Sequence, residues 1–208
     1  MKYKHDLPFG ATLQPDGNTR FRVWAPSVET VALAIDGTRR GMEREQGGWH
    51  TLTVPAPAGT RYQFVLPDGL HVPDPASRMQ DQDVHGPSVV VDPEDFDWQQ
   101  DDWRGRPWHE AVVYELHAGT MGGFRGIQEH LPELQRLGVT AIELMPIADF
   151  PGRHNWGYDG VLPYAPDRAY GTPDDLKALI DAAHGMGLMV MLDVVYNHFG
   201  PDGAYLHA

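Results

Sequence analysis

Residues 188–198 constrain this chain more than any other stretch. They read Leu-Met-Val-Met-Leu-Asp-Val-Val-Tyr-Asn-His, a nearly continuous apolar run that turns Val-rich toward its end. Such a run predicts a strand buried on both faces of a parallel sheet. Polar groups (Asp193, Asn197 and His198) appear only at its carboxyl end and just beyond. In a barrel of alternating strands and helices, ligands meet the protein at that end. One stretch thus predicts an architecture and the face on which a site would lie.

The residues before it fit the same pattern. Residues 111–116 read as a strand. Phe124, Ile127, Leu131 and Leu134 then recur at helical spacing until Leu137-Gly138, where Gly caps the helix. Residues 139–145 read as a second strand, stopped by Pro146. Thr172-Pro173-Asp174-Asp175 is a helix start, with Thr capping, Pro at the first helical position and acids at the positive end of the dipole. Leu176, Leu179, Ile180 and Ala183 face one way until Gly187. Strand, helix, strand, helix, strand with short helix-to-strand returns implies right-handed parallel units.

Residues 1–95 follow a different rule. Short alternating runs at residues 20–24, 31–35, 49–54, 61–66 and 88–91 are separated by turns such as Asp36-Gly37 and Pro67-Asp68-Gly69. No helical period intervenes, so this half reads as an antiparallel sandwich. Residues 96–110 form a polar linker whose Trp98, Trp103 and Trp108 are expected to pack it down. The second domain then covers residues 111–208.

Composition narrows the partners. A net charge of -13 disfavours nucleic acid and anionic membranes, which need a basic surface. Zero Cys removes disulfides and thiolate chemistry, and the start of the chain has no apolar core before Pro8 that would make a secretory signal. A cytoplasmic location is the expectation.

The connection over residues 146–171 is long, and long loops in compact domains are usually functional. It places Phe150, Trp156, Tyr158, Tyr164 and Tyr170 among Asp149, Arg153, His154, Asn155 and Asp159. Flat aromatic faces beside hydrogen-bonding groups suit a sugar ring; a loop building its own small core would show the same composition. His198 could equally be a structural residue at a strand end. Asp193 is harder to explain structurally, because a carboxylate in so apolar a run is costly to bury without a partner.

DVVYNH at residues 193–198 matches the first signature region of the α-amylase superfamily of glycoside hydrolases. FRVWAPSVETVALAI at residues 21–35 resembles the amino-terminal sandwich of its isoamylase-like and branching branch. Residues 138–166 look most like the trehalohydrolase branch, which cuts the α-1,4 bond next to the trehalose end of maltooligosyltrehalose. The loop Gly119-Thr120-Met121-Gly122-Gly123-Phe124 is shorter than that family's usual version. The resemblance implies an immunoglobulin-like β-sandwich followed by the first three strand–helix units of a TIM (β/α)8 barrel, the barrel incomplete.

It also implies roles. Tyr158 would stack on the sugar before the scissile bond and His198 would hydrogen-bond to it. Trp156 and Asp159 would shape the rim, Asn197 would brace the loop, and Asp193 would orient an arginine beside the nucleophile. No cofactor is expected, and no metal, although amylase relatives can ligate calcium at the position of Asn197. The partner would be an α-glucan or maltooligosyltrehalose. Retaining hydrolysis needs two carboxyl groups about 5 Å apart, and the resemblance places both beyond residue 208. The chain alone is therefore expected to be inactive. A branching or debranching enzyme, or a non-catalytic α-glucan-binding protein, are the competing readings.

Overall fold

Alternating side chains build the first half of the protein. The computed structural model describes residues 7–208, so the reading of the extreme amino terminus falls partly outside it. Strands β1 (Gly10–Leu13), β2 (Asn18–Trp24), β3 (Ala32–Ile35), β4 (Thr38–Gly41) and β5 (Glu43–Arg44) are followed by β6 (Trp49–Pro55), β7 (Arg61–Val65), β8 (His71–Val72) and β9 (Ser88–Val89). They form two antiparallel sheets, one ordered β1-β2-β6-β5 and the other β4-β3-β7-β8, with β9 also paired to β7. In β2, Thr19 and Phe21 point inward while their neighbours are half-exposed, the period-two pattern of a sheet with one wet face. Phe21 meets Tyr62 edge to face at 4.7 Å between sheets, and Val31, Leu33, Phe64 and Val72 complete the core.

The Asp36-Gly37 turn joins β3 to β4 as a two-residue hairpin, with positive φ at both residues. β4 itself carries no sequence signal. All four of its residues are exposed, and Arg39 and Arg40 make it a charged edge.

The linker runs along the second domain. Gln99 and Gln100 donate backbone N–H groups to Asp181. Trp103 stacks on His184 at 4.8 Å, and Trp98 packs edge-on against Phe96. Trp108 departs from the expectation. It is 70% exposed, in a short 3-10 turn none of whose residues is buried.

The second half holds the parallel units in the expected order. They are β10 (Val113–Leu116), α1 (Gly123–Leu137), β11 (Ala141–Leu144), the pair β12 (Ala148–Asp149) and β13 (Leu162–Pro166), α2 (Pro173–Gly185), and β14 (Met189–Leu192). β10, β11 and β14 form a parallel sheet with β11 in the centre. Ile142 and Leu144 face the helices, where Phe124, Ile127, Leu131, Leu179 and Ala183 are buried with them. Thr172 and Asp175 close a reciprocal capping box at the start of α2.

Two expectations need correction. The strand over residues 188–198 is only four residues long, and it is not buried on both faces, Leu192 being 45% exposed. It lies at a sheet edge, and its Met189 and Met191 face carries no helix layer among the described residues. The connection over residues 146–171 is also not structureless. β12 and β13 pair antiparallel within it, and Val161, Leu162 and Ala165 form a small core with Val84 of the first domain. No helix among the described residues is long and apolar enough to cross a membrane.

Candidate functional site

The three parallel strands end on one face, and the loops that follow β11 and β14 meet there. Pro146 stops β11, and the chain then folds tightly over it. At Gly157 φ is +99°, and an added Cβ would stand 2.1 Å from the Pro146 carbonyl oxygen, so only glycine fits. That close approach brings Trp156, Tyr158 and Asp159 over the strand ends.

Tyr158 lies at the centre. Its hydroxyl donates to Asp193 Oδ2 at 3.0 Å, and its carbonyl accepts from His198 Nε2 at 2.9 Å. The loops are joined again where Gly200 N–H donates to the Gly160 carbonyl. Tyr158, Asp193 and His198, 35 and 40 residues apart in sequence, thus form one hydrogen-bonded group. The costly burial expected for Asp193 does not arise. Its side chain is only partly buried, and its partner is the Tyr158 hydroxyl, with no arginine beside it among the described residues.

The hydrogen bond to Asp193 holds the Tyr158 phenol above its ordinary 10.0, with Glu115 and Glu143 adding to the effect. These two acids stand side by side in register on β10 and β11, on the sheet face opposite the helices. The site is therefore strongly negative, and Tyr158 stays a neutral donor at physiological pH.

Trp156 is 69% exposed and Tyr158 40%, so both rings are presented to solvent. Phe150 and Tyr170 turn inward and are buried. The small-core reading of this loop holds for Phe150 and Tyr170, while Trp156 and Tyr158 stay outside that core. Asp159 accepts from the Asn155 side chain at 2.9 Å. Asn197 is exposed and joins none of the hydrogen bonds that link Tyr158, Asp193 and His198. Among the described residues, no group of three or more His, Asp or Glu side chains is arranged to hold a metal ion.

His117 was not singled out from the sequence. Its Nδ1 accepts from Thr120 N–H at 3.1 Å and its Nε2 donates to the Asn155 carbonyl at 2.7 Å. Its ring meets both Trp156 and Tyr170 edge to face. His117 follows β10 as His198 follows β14, and that shared position at strand carboxyl ends was the available signal.

Beside this group, Asp81, Asp83, Asp149 and Asp167 line a cleft of about 300 Å³ with Arg153 and Arg168. Asp149 is almost wholly buried and its Oδ2 has no partner. Desolvation, with Asp167 and Asp83 adding repulsion, pushes its carboxyl up to about 8. Burial likewise pushes Asp167 up to about 6. Asp149 is protonated at neutral pH, which lowers the repulsion among the acids.

A β-sandwich joined to a parallel strand–helix domain, with polar and aromatic groups gathered at the strand ends, defines a modular protein of the α/β catalytic-domain class. Within that class the chain belongs to the α-amylase family. The model of the alpha amylase catalytic domain matches residues 86–207, and that of carbohydrate-binding module 48, the isoamylase N-terminal domain, matches residues 8–75.

Curated relatives include the malto-oligosyltrehalose trehalohydrolases of Deinococcus radiodurans, 51% identical over 95% of this chain, and Saccharolobus solfataricus, 46% identical over 96%. The chain spans 33% and 36% of their respective lengths. Among solved structures, a Salmonella typhimurium protein assigned as an alpha amylase superposes with a TM-score of 0.95 at 53% identity, covering 97% of this chain and 35% of its own. A pullulanase from Anoxybacillus sp. LM18-11, complexed with maltotetraose, gives 0.79 at 27% identity over 95% of this chain and 36% of its own.

Proposed function

We propose that this chain forms the sugar-gripping portion of a glycoside hydrolase that cleaves the α-1,4 bond next to the trehalose end of maltooligosyltrehalose. The observation that carries this reading is the joined group Tyr158–Asp193–His198, with the exposed Trp156 two residues before Tyr158 in the same loop. An aromatic face beside fixed donors and acceptors matches a sugar, whose ring has apolar C–H faces and a polar hydroxyl edge. Tyr158 stacks on the sugar preceding the scissile bond. His198, oriented through Nε2 by the Tyr158 carbonyl, presents its other ring nitrogen to a hydroxyl of the same sugar. Trp156 and Asp159 form the rim, and Asn197 braces the second loop.

Asp193 supports the site without attacking the substrate. Its carboxylate is engaged by the Tyr158 hydroxyl, and the family pattern gives it the task of orienting an arginine. The nucleophile and acid/base of a retaining reaction belong to the fourth and fifth strands of the family's barrel. The residues at these three strand ends therefore grip the glucan and do not cut it.

Calorimetric titration with maltotetraose tests this reading. The wild-type chain is expected to bind, and Tyr158→Ala to weaken binding about two- to tenfold, since aromatic stacking is worth roughly 0.5–1.5 kcal/mol. Equal affinity in the two proteins would remove Tyr158 from the site. Turnover of maltooligosyltrehalose by the 208-residue chain above a buffer blank would overturn the assignment of the cutting acids.

A further inference from the structure

The turn at residues 81–86 belongs to the first half of the chain, yet its side chains reach the second. It is bent and irregular, closed by the Gln80–Ser88 bridge, by Asp81 N–H donating to the Pro87 carbonyl, and by Gly86 N–H donating to the Asp83 carbonyl. Gln80, fully buried, holds it from beneath. Its amide N–H₂ donates to the carbonyls of Asp83 and Gly86, and its Oε1 accepts from Ser77 and Ser88. Arg61 pairs with Asp81 at 2.9 Å, and Gln63 donates to the His85 carbonyl, tying the turn to β7. Its backbone is thus fixed on the sandwich side.

Three successive residues project from that base. Asp83 accepts the Gly152 N–H with both carboxylate oxygens, at 3.1 and 3.3 Å, in the loop that carries Trp156 and Tyr158. Val84 is fully buried among Val161, Leu162 and Ala165 of the same loop, with Ala204 packed against that cluster. A Cβ on Gly203 would come within 2.5 Å of the Val84 side chain, so the second loop lies directly on it. His85 grips that second loop. Its Nε2 donates to Asp202 Oδ1 at 3.2 Å, and its Nδ1 accepts from the Tyr205 hydroxyl at 2.6 Å. This is the loop that carries Asn197 and His198.

We propose that the turn at residues 81–86 is a positioning strap, with Asp83 and His85 each anchoring one of the two loops whose meeting point is the Tyr158–His198 contact. His85 and Asp202 are largely exposed, and an exposed pair by itself contributes little. The strap acts because three contacts share one rigid turn: a charge-assisted bond, a buried Val and the His85 bridge. Neither loop can shift against the strap without breaking one of them. The sandwich thereby sets the geometry of a site made entirely by residues of the other domain. Asp83 and His85 are positioning residues and touch no sugar. Their value to sugar binding rests on the function proposed above, whereas their grip on the loops does not.

The test uses the 208-residue chain with Asp83→Ala, His85→Ala and His85→Asn, the last placing an amide near the position of Nδ1. Amide hydrogen exchange is followed at Gly152 and Gly200, and at amides of α1 and β6 as controls. The alanine variants are expected to speed exchange about tenfold at the loop amides and leave the controls unchanged, as losing local hydrogen bonds without global unfolding requires. His85→Asn restores protection at Gly200. Unchanged exchange at Gly152 and Gly200 would overturn the strap, and so would a uniform rise in α1 and β6. Maltotetraose affinity is measured on the same proteins. If loop exchange responds as expected and the wild type binds no maltotetraose, the strap stands and the sugar reading fails.

Discussion

Asp149 sits where burial and charge conflict most sharply. Its carboxyl is held up to about 8 and that of Asp167 to about 6, against an ordinary 3.8, first by desolvation and then by neighbouring acids. Asp83, Asp167 and Arg168 are the charged groups that act on Asp149, with Asp81 and Arg153 also lining the cleft. The folded state holds protons here that the unfolded chain releases. The stability this gives is complete below about pH 4 and is lost as pH rises through about 6 and then about 8.

Asp149→Asn keeps a neutral group at every pH. It is expected to exceed wild type near pH 8.5, by roughly several kcal/mol at most, the gap closing toward pH 4.5. Melting curves across that range check it, and a gap independent of pH would contradict the assignment. None of this was legible in the sequence. Asp149 was one polar residue among several in a loop, and its burial depends on β12 pairing with β13 and on a turn more than sixty residues earlier. Tyr158 and His198 were legible because their types and their place at strand ends carry meaning without knowledge of packing. His117 had the same place, but its role depends on a backbone carbonyl that sequence does not reveal.

The elements that could be read were those with local causes. α2 begins where Thr-Pro-Asp-Asp predicts, since capping and dipole effects act within a single turn. Its capping box also links to α1, because Asp175 accepts from Arg125 at 2.7 Å as well as from Thr172. Thr172→Ala is expected to cost about 1 kcal/mol, read as a lower melting temperature with helix content otherwise retained. No loss of stability would show that tertiary contacts alone fix the start of α2.

β4 and the β12–β13 pair escaped notice for opposite reasons. β4 is polar on both faces and exists because β3 offers it a free edge. β13 carries Pro163 and Pro166, which argue against a strand, yet it pairs with only the two residues of β12. The length of β14 was overread because an apolar run signals burial, while strand extent depends on neighbours that lie elsewhere in the chain.

At the scale of the molecule, two separate cores are joined by a third, smaller one that neither half owns. Val84 contributes to it from the sandwich side, and Val161, Leu162 and Ala165 from the loop side. The division into a sandwich and a parallel α/β unit followed from a change of hydrophobic period near residue 111, and it survives in the two large cores. Their junction left no trace in the pattern, because a single buried Val flanked by Asp and His looks like any surface turn.

The central claim is that sugar is held at the parallel strand ends by Tyr158, His198 and Trp156. Titrating the isotope-labelled chain with maltotetraose, and following amide and indole resonances, tests it directly. Concerted shifts are expected at the Trp156 indole and at the backbone amides of Gly157, Tyr158 and His198. Shifts confined to the sandwich, around Trp24 and Trp49, would contradict it and favour a glucan-binding role for the first domain alone.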